Sequence, residues 1–496
     1  MTTDKALIAH LYRRAGFGIT HDLLEELSKN SYDSIVDNLV EIDKIEDLPD
    51  EDILSRYYPQ LQSTDNFGLD NTRWFYRMIN SNKPLQEKMT LFWHHVFATG
   101  WTKSEQGPTM IDHIAMLRKN CLLNLRVLLT DLASDPAMIF WLDNCENHGK
   151  NINENFGREL LELFSMGIGN YSEDDIKEAS RAFTGWTFEQ PIPLYPYGHF
   201  KSQFIFDEED HDFGEKEFLG NKGNFNGEDI VEIIVKTEAC ANFISRHLYN
   251  FFVADEPQIP AWSIEPPKDQ EAMKILVSTF MDSNADMKEV MRALFKSDFF
   301  KNSMFKRVKC PAEFIAGALK LTSEIGPKDD RLASLHGLST VMGQTLLDPP
   351  TVEGWHTGKE WIDGGSLTER INYAVGLVTD MNNTGSKHLV DNLVNTDQEL
   401  SAEQLVNNVL QNAGHLEVSE QTFDQLLEIA SKGPSVGNNK DTEEVREKVI
   451  ERYDGLADSL YFYAFHDSFP TSNEEEEGIK VEQNLLRVID AFKDFK

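Results

Sequence analysis

Apolar residues recur at helical spacing through almost the whole chain, and a single passage breaks that rhythm. Residues 5–15, 21–40, 69–98, 109–133, 151–167 and 172–185 each read as amphipathic helix, and the pattern resumes over 228–253, 268–281, 285–299, 310–325 and 367–382. Gly16-Phe17-Gly18 reads as a helix stop, Thr20 as the next N-cap, and Ser172 with Asp175 as a capping box. Between 187 and 227 the rhythm fails. Pro191, Pro193, Pro196 and Gly198 end the helical pattern, and the spacing of Phe200, Gln203, Phe204 and Phe206 predicts a short hairpin. Beyond 385 the composition turns acidic and polar, with helical pieces near 401–412, 420–431, 442–464 and 480–494. The expected fold class is mainly α: a large multi-helix domain over 1–385, a small β-hairpin and loop insertion, and an acidic helical C-terminal extension over 386–496.

Charge narrows the function classes. Asp+Glu number 83 against Lys+Arg 47, a formal net charge of -36. Such a field repels phosphate backbones, so nucleic acid is not an expected partner. No apolar run reaches about 18 residues, so no membrane span is expected. The first twenty residues lack an apolar core segment and carry Asp4 and Lys5, which reads as a cytoplasmic chain, although a mature exported chain would look the same. Cys121, Cys145, Cys240 and Cys310 lie far apart and read as ordinary thiols.

Four segments carry chemically capable side chains. In NENFGRELLELF (153–164), helical geometry puts Glu154, Asn155, Arg158, Glu159 and Glu162 on one face and Phe156, Leu160, Leu163 and Phe164 on the other. That polar face is either an ion-pair ladder around Arg158 or the wall of a cavity where like charges raise one another's pKa or bind a cation. FWHHVFATGW (92–101) sets His94 and His95 about 100° apart, so the pair does not chelate one ion; one of them is a core histidine or a single imidazole ligand. The acidic loop FDEEDHDFGEKEFLG (206–220) offers His211 and Asp212, read either as solvated surface or as hard-cation donors. Trp186 and GWHTGKEW (354–361), with Trp355, His356 and Trp361, are core plugs or pocket walls. Arg13 and Arg14, in HLYRRAGFG, offer one partner for an acidic face.

Taken together the chain resembles the bacterial DUF1800 family. The resemblance rests on HLYRRAGFG (10–18), MTLFWHHVFATG (89–100), NINENFGRELLELFSMGIGNYSEDDIKEASRAFTGW (151–186), HDFGEKEFLG (211–220), FKRVKCPAEF (305–314), MGQTLLDPPTVEGWHTGKEWIDGGS (342–366) and LTERIN (367–372). It implies a large helical protein without an agreed activity, many of whose relatives are exported and encoded beside a sulfatase-like DUF1501 protein. Departures from the family pattern stand at His95 (usually Asn), Val96 and Phe164 (each usually His), and Thr237-Glu238-Ala239 (usually His-Pro-Ala). These losses weaken a histidine-rich redox centre and leave an oxygen-rich site intact.

The reading that follows is a metal-assisted enzyme, hydrolysis ranking above oxidation. Arg158, Glu159 and Glu154 are its catalytic candidates. His94 or His95, with Glu162, His211 and Asp212, would ligate a divalent metal of open identity, and Arg13, Arg14, Trp186, Trp355, His356 and Trp361 would meet substrate. Its rivals are a non-catalytic scaffold for the sulfatase-like DUF1501 protein and a carbohydrate-binding role for Trp186, Trp355 and Trp361.

Overall fold

The computed structural model describes residues 4–48, 51–58, 68–104, 107–190, 202–322 and 325–380, and parts of 382–432. The expected mainly α architecture is what it has. Apolar rhythm, however, runs longer than the helices do. The 69–98 stripe is two helices, Gly68–Asn80 and Pro84–Val96, the second opening on a proline whose missing N–H falls in the unbonded first turn. The 109–133 stripe divides into Gly107–Asn120 and Leu125–Ala133, where the Asn124 side chain accepts from the Arg126 amide at 2.9 Å. Thr237 likewise splits 228–253 by capping Glu238–Phe252, and Ser31 splits 21–40 by capping Tyr32–Val40. Each break falls where a short polar side chain gives the backbone an alternative bond, while both halves keep burying one face. Thr20 occupies its N-cap position without a side-chain cap bond, and the Ser172–Asp175 capping box forms in full.

The insertion holds two small antiparallel pairs. β1 (Trp186–Glu189) pairs with β2 (Gln203–Phe206), Trp186 opposite Phe206 and Glu189 opposite Gln203. β3 (Lys216–Phe218) pairs with β4 (Asn221–Gly223). Phe200 and the expected helices at 442–464 and 480–494 lie outside the described residues. Helices Ala402–Asn412 and Glu420–Lys432 pack together, and their Leu405, Val406, Val409 and Leu426 join the same apolar core as Ile8 and Phe92. No described helix is long and apolar enough to cross a membrane.

That core carries ions. Glu313, 1% exposed, bonds Lys88 at 2.5 Å and Arg307 at 2.8 Å. Glu87 is fully buried between Arg77 at 2.7 Å and Arg118 at 2.9 Å. Burial pushes each carboxyl upward, but the paired cations outweigh it and hold Glu87 below, and Glu313 well below, the usual carboxylate value.

Candidate functional site

Helix Asn155–Glu162 is fixed before its polar face meets anything. Asn155 Nδ2 donates to the Leu142 carbonyl at 3.0 Å, and the Asn147 side chain accepts from the Asn153 amide at 3.0 Å. Phe156, Leu160 and Leu161 are buried. Gly157 lies so close to Ser180 that any β-carbon there would collide with it, which lets the helix rest directly on helix Glu173–Ala182. The polar face is then divided in two.

Arg158 turns to solvent. It makes a two-pronged bond to Glu173, at 2.8 and 3.1 Å, and a longer one to Glu154 at 3.4 Å. Glu159 is half-buried and lies within reach of the charge of Glu162. Glu162 lines a cleft of about 490 Å³ and accepts from Tyr171 Oη at 3.0 Å. Glu353, from the Trp-rich loop, lines the same cleft. Burial, and then the charges of Glu162 and Glu353 against the opposing pull of Arg158, push Glu159 up from 4.5 to about 7. Burial and Glu162 also raise Tyr171.

The opposite wall of the cleft is aromatic. Phe243 and Trp262 sit edge to face, 5.9 Å between centroids. Arg246 stacks over Trp262 at 4.7 Å, and its charge is already paired with buried Glu256 at 2.8 Å. The cleft therefore presents carboxylates, an aromatic surface and no unpaired described cation. Sequence reading missed Glu353, Phe243, Trp262 and Arg246. The passage around Trp262, EPQIPAWSIEPP, was a usable signal: prolines around one aromatic residue fix a rigid surface segment.

The other expected site residues lie in separate surroundings. His94 and His95 are buried in helix Pro84–Val96. His94 touches the rings of Trp74, His113 and Trp355, while His95 Nδ1 accepts from the Trp355 amide at 3.4 Å. Burial pushes His94 well below the usual imidazole value and His95 to about 4. Gly354, with φ +86°, permits this contact, because a β-carbon there would strike the His95 carbonyl oxygen. His211 Nδ1 donates to the Thr184 carbonyl at 2.7 Å between Phe206 and Phe213. Asp212 is bonded to Arg181 at 2.7 Å, and that guanidinium holds its carboxyl below the ordinary value.

Trp186 donates to the Asn226 side chain at 2.9 Å. Trp355, Trp361 and His356 line a second, smaller cleft, with exposed His356 on Glu360 at 2.9 Å. Arg14 donates to the Phe251 and Phe252 carbonyls at the end of helix Glu238–Phe252, and Arg13 lies over the Phe305 ring at 5.1 Å. Thus His94, Glu159 and His211 share no hydrogen bond, ion pair or ring contact, whereas Glu159 and Glu162 are brought together with Glu353. Among the described residues, no three His, Cys, Asp or Glu side chains are grouped to hold a metal ion.

A family profile described as "Protein of unknown function (DUF1800)" matches residues 10–464. No curated protein and no solved structure matches the chain.

Proposed function

This chain belongs to the DUF1800 family, and from that premise we propose that the cleft beside helix Asn155–Glu162 is the substrate site of a hydrolase working by carboxylate acid–base chemistry. The observation behind this reading is half-buried Glu159, raised to about 7 by burial and by the charges of Glu162 and Glu353, two carboxylates that line the aromatic cleft. A carboxyl titrating near neutrality is suited to give a proton to a leaving-group oxygen, a contribution of about 10²–10⁴-fold. Glu162, oriented by Tyr171, with Glu353 and Glu238, are the cleft carboxylates available to draw a proton from water. Trp262 and Phe243 suit a neutral or cationic substrate with an apolar face, such as a sugar ring.

Two measurements test the reading. Carbon-13 NMR of labelled glutamate should find one carboxyl titrating near 7 that disappears in Glu159→Gln. Hydrolysis of a panel of chromogenic glycosides and esters should fall by about 10²-fold or more in the folded Glu159→Gln protein. Turnover unchanged by that substitution would count against the assignment. Assays with added Zn²⁺, Mn²⁺ or Mg²⁺ read whether a divalent metal takes part.

A second reading has its own support. Arg14, Arg307 and Arg181, all in the stretches that carry the family resemblance, are bound to backbone carbonyls or internal carboxylates. That is how a scaffold uses its charges, and it favours a partner role beside a sulfatase-like DUF1501 protein. A stable complex of the two on co-expression, with all activity residing in the partner, would select it.

A further inference from the structure

The cleft beside helix Asn155–Glu162 holds more negative charge than acid–base chemistry needs. Glu162, Glu238 and Glu353 reach it from three segments: that helix, the first turn of helix Glu238–Phe252, and the Trp-rich loop. Only one of them can serve as the base for a given water. Among the described residues none of the three is in an ion pair, and Glu162 takes a hydrogen bond from the Tyr171 hydroxyl. Arg158 acts on Glu162 at longer range while bonded to Glu173 and Glu154. Arg246 lines the cleft as well, but buried Glu256 at 2.8 Å already offsets its charge. What is left is an uncompensated negative field between partly apolar walls, where salt screens it less than at an open surface.

We propose, resting on the reading of this cleft as the substrate site, that its ligand is an organic polycation: a molecule carrying two or more protonated amines on a ring or alkyl framework. The sign of the charge comes first. A phosphate, sulfate or carboxylate ligand would meet three carboxylates and no free described cation, whereas each ammonium gains a charge-assisted hydrogen bond.

Spacing comes next. A metal cation needs several oxygens converging at about 2.0–2.6 Å. Among the described residues no three carboxylates or other donors are grouped in that way. Charge spread along a cleft matches charge spread along a molecule.

The walls and the room decide the framework. Trp262 and Phe243 offer ring surface that attracts both ammonium groups and the C–H face of a sugar, and Arg246 already stacks on Trp262 at 4.7 Å. A volume of about 490 Å³ encloses a ligand of a few rings, far more than one ion requires.

The test measures binding to the full chain by calorimetry at about pH 6, where the amines are protonated. The probes are a glucosamine trimer, its N-acetylated counterpart, a galacturonate trimer and spermidine. The glucosamine trimer should bind about 10-fold or more tighter than its acetylated and anionic counterparts, and about 0.5 M salt should remove most of that preference. Spermidine distinguishes alkyl-borne from sugar-borne amines: whichever binds tighter names the framework. Glu238→Gln and Glu353→Gln should each weaken amine binding by about 2–5-fold and leave the acetylated trimer unchanged. The whole chain is acidic, so Glu228→Gln, an exposed carboxylate outside the cleft, serves as control and should change nothing.

An acetylated or anionic probe bound as tightly as the amines overturns the proposal, as does a folded parent that binds neither amine. An equal loss in Glu228→Gln overturns it too, because binding would then belong to the general field. Glu159→Gln should bind the glucosamine trimer as the parent does. Amine binding without turnover of any substrate removes the hydrolase reading and supports this one, whereas turnover of neutral substrates without amine preference overturns this one alone.

Discussion

Glu313 and Glu159 are the same side chain, one buried and the other half-buried, and they titrate in opposite directions. In the ionic seam Glu313 faces Lys88 and Arg307, which hold it ionised. Glu159 instead lies under the charges of Glu162 and Glu353, which line the cleft, with Arg158 largely committed to Glu173. Burial alone pushes both upward, so the sign is set by neighbours contributed from distant segments. The seam has the electrostatics of structure. The cleft has the electrostatics on which the proposed acid–base role rests.

The largest expected effect breaks the seam. Glu313→Gln leaves Lys88 and Arg307 buried with no anion between them and should cost about 3–5 kcal/mol, read by denaturant unfolding. A loss below about 1 kcal/mol would mean that water reaches the pair.

Next comes pH. Glu313, depressed when folded, contributes stability that is present above the unfolded carboxylate value of about 4.3 and lost as pH falls through its folded value. Glu159, raised to about 7, works in reverse: its contribution is full below the unfolded value and is lost as pH rises through about 7. Glu159→Gln, which keeps the neutral form at every pH, should therefore match the parent at pH 4. At pH 8 it should be the more stable by about 1 kcal/mol, a figure discounted for partial exposure.

Two smaller changes sharpen the cleft side by NMR titration. Glu353→Gln should move the Glu159 midpoint down toward 4.5, since it removes one of the repelling charges. Arg158→Ala should move it up, since it removes the attracting one, while the exposed Arg158–Glu173 pair makes little difference to thermal unfolding. A Glu159 midpoint indifferent to both would leave burial and Glu162 as what sets it.

Legibility in the sequence followed the range of the interaction. The polar face of 153–164 was readable because helical periodicity is local, and so was the Ser172 capping box, which closes over three residues. The division of that face was not readable. Arg158 and Glu159 are neighbours in sequence, yet one reaches Glu173 and solvent and the other lies under the charges of Glu162 and Glu353. Likewise HLYRRAGFG advertised two arginines, but only packing shows Arg14 bound to the end of helix Glu238–Phe252. His94 was visible as an imidazole in an aromatic helix, whereas its packing against Trp74, His113 and Trp355 was not.

By itself, then, the sequence determined the helical class, the Ser172 capping box and which residues carry charge or imidazole, because these follow from bonds and periodicities spanning a few residues. The tertiary structure alone decided which carboxylates meet cations, which meet each other, and which imidazoles face one another across the core. Those outcomes depend on contacts between segments tens to hundreds of residues apart, whose geometry no local pattern encodes.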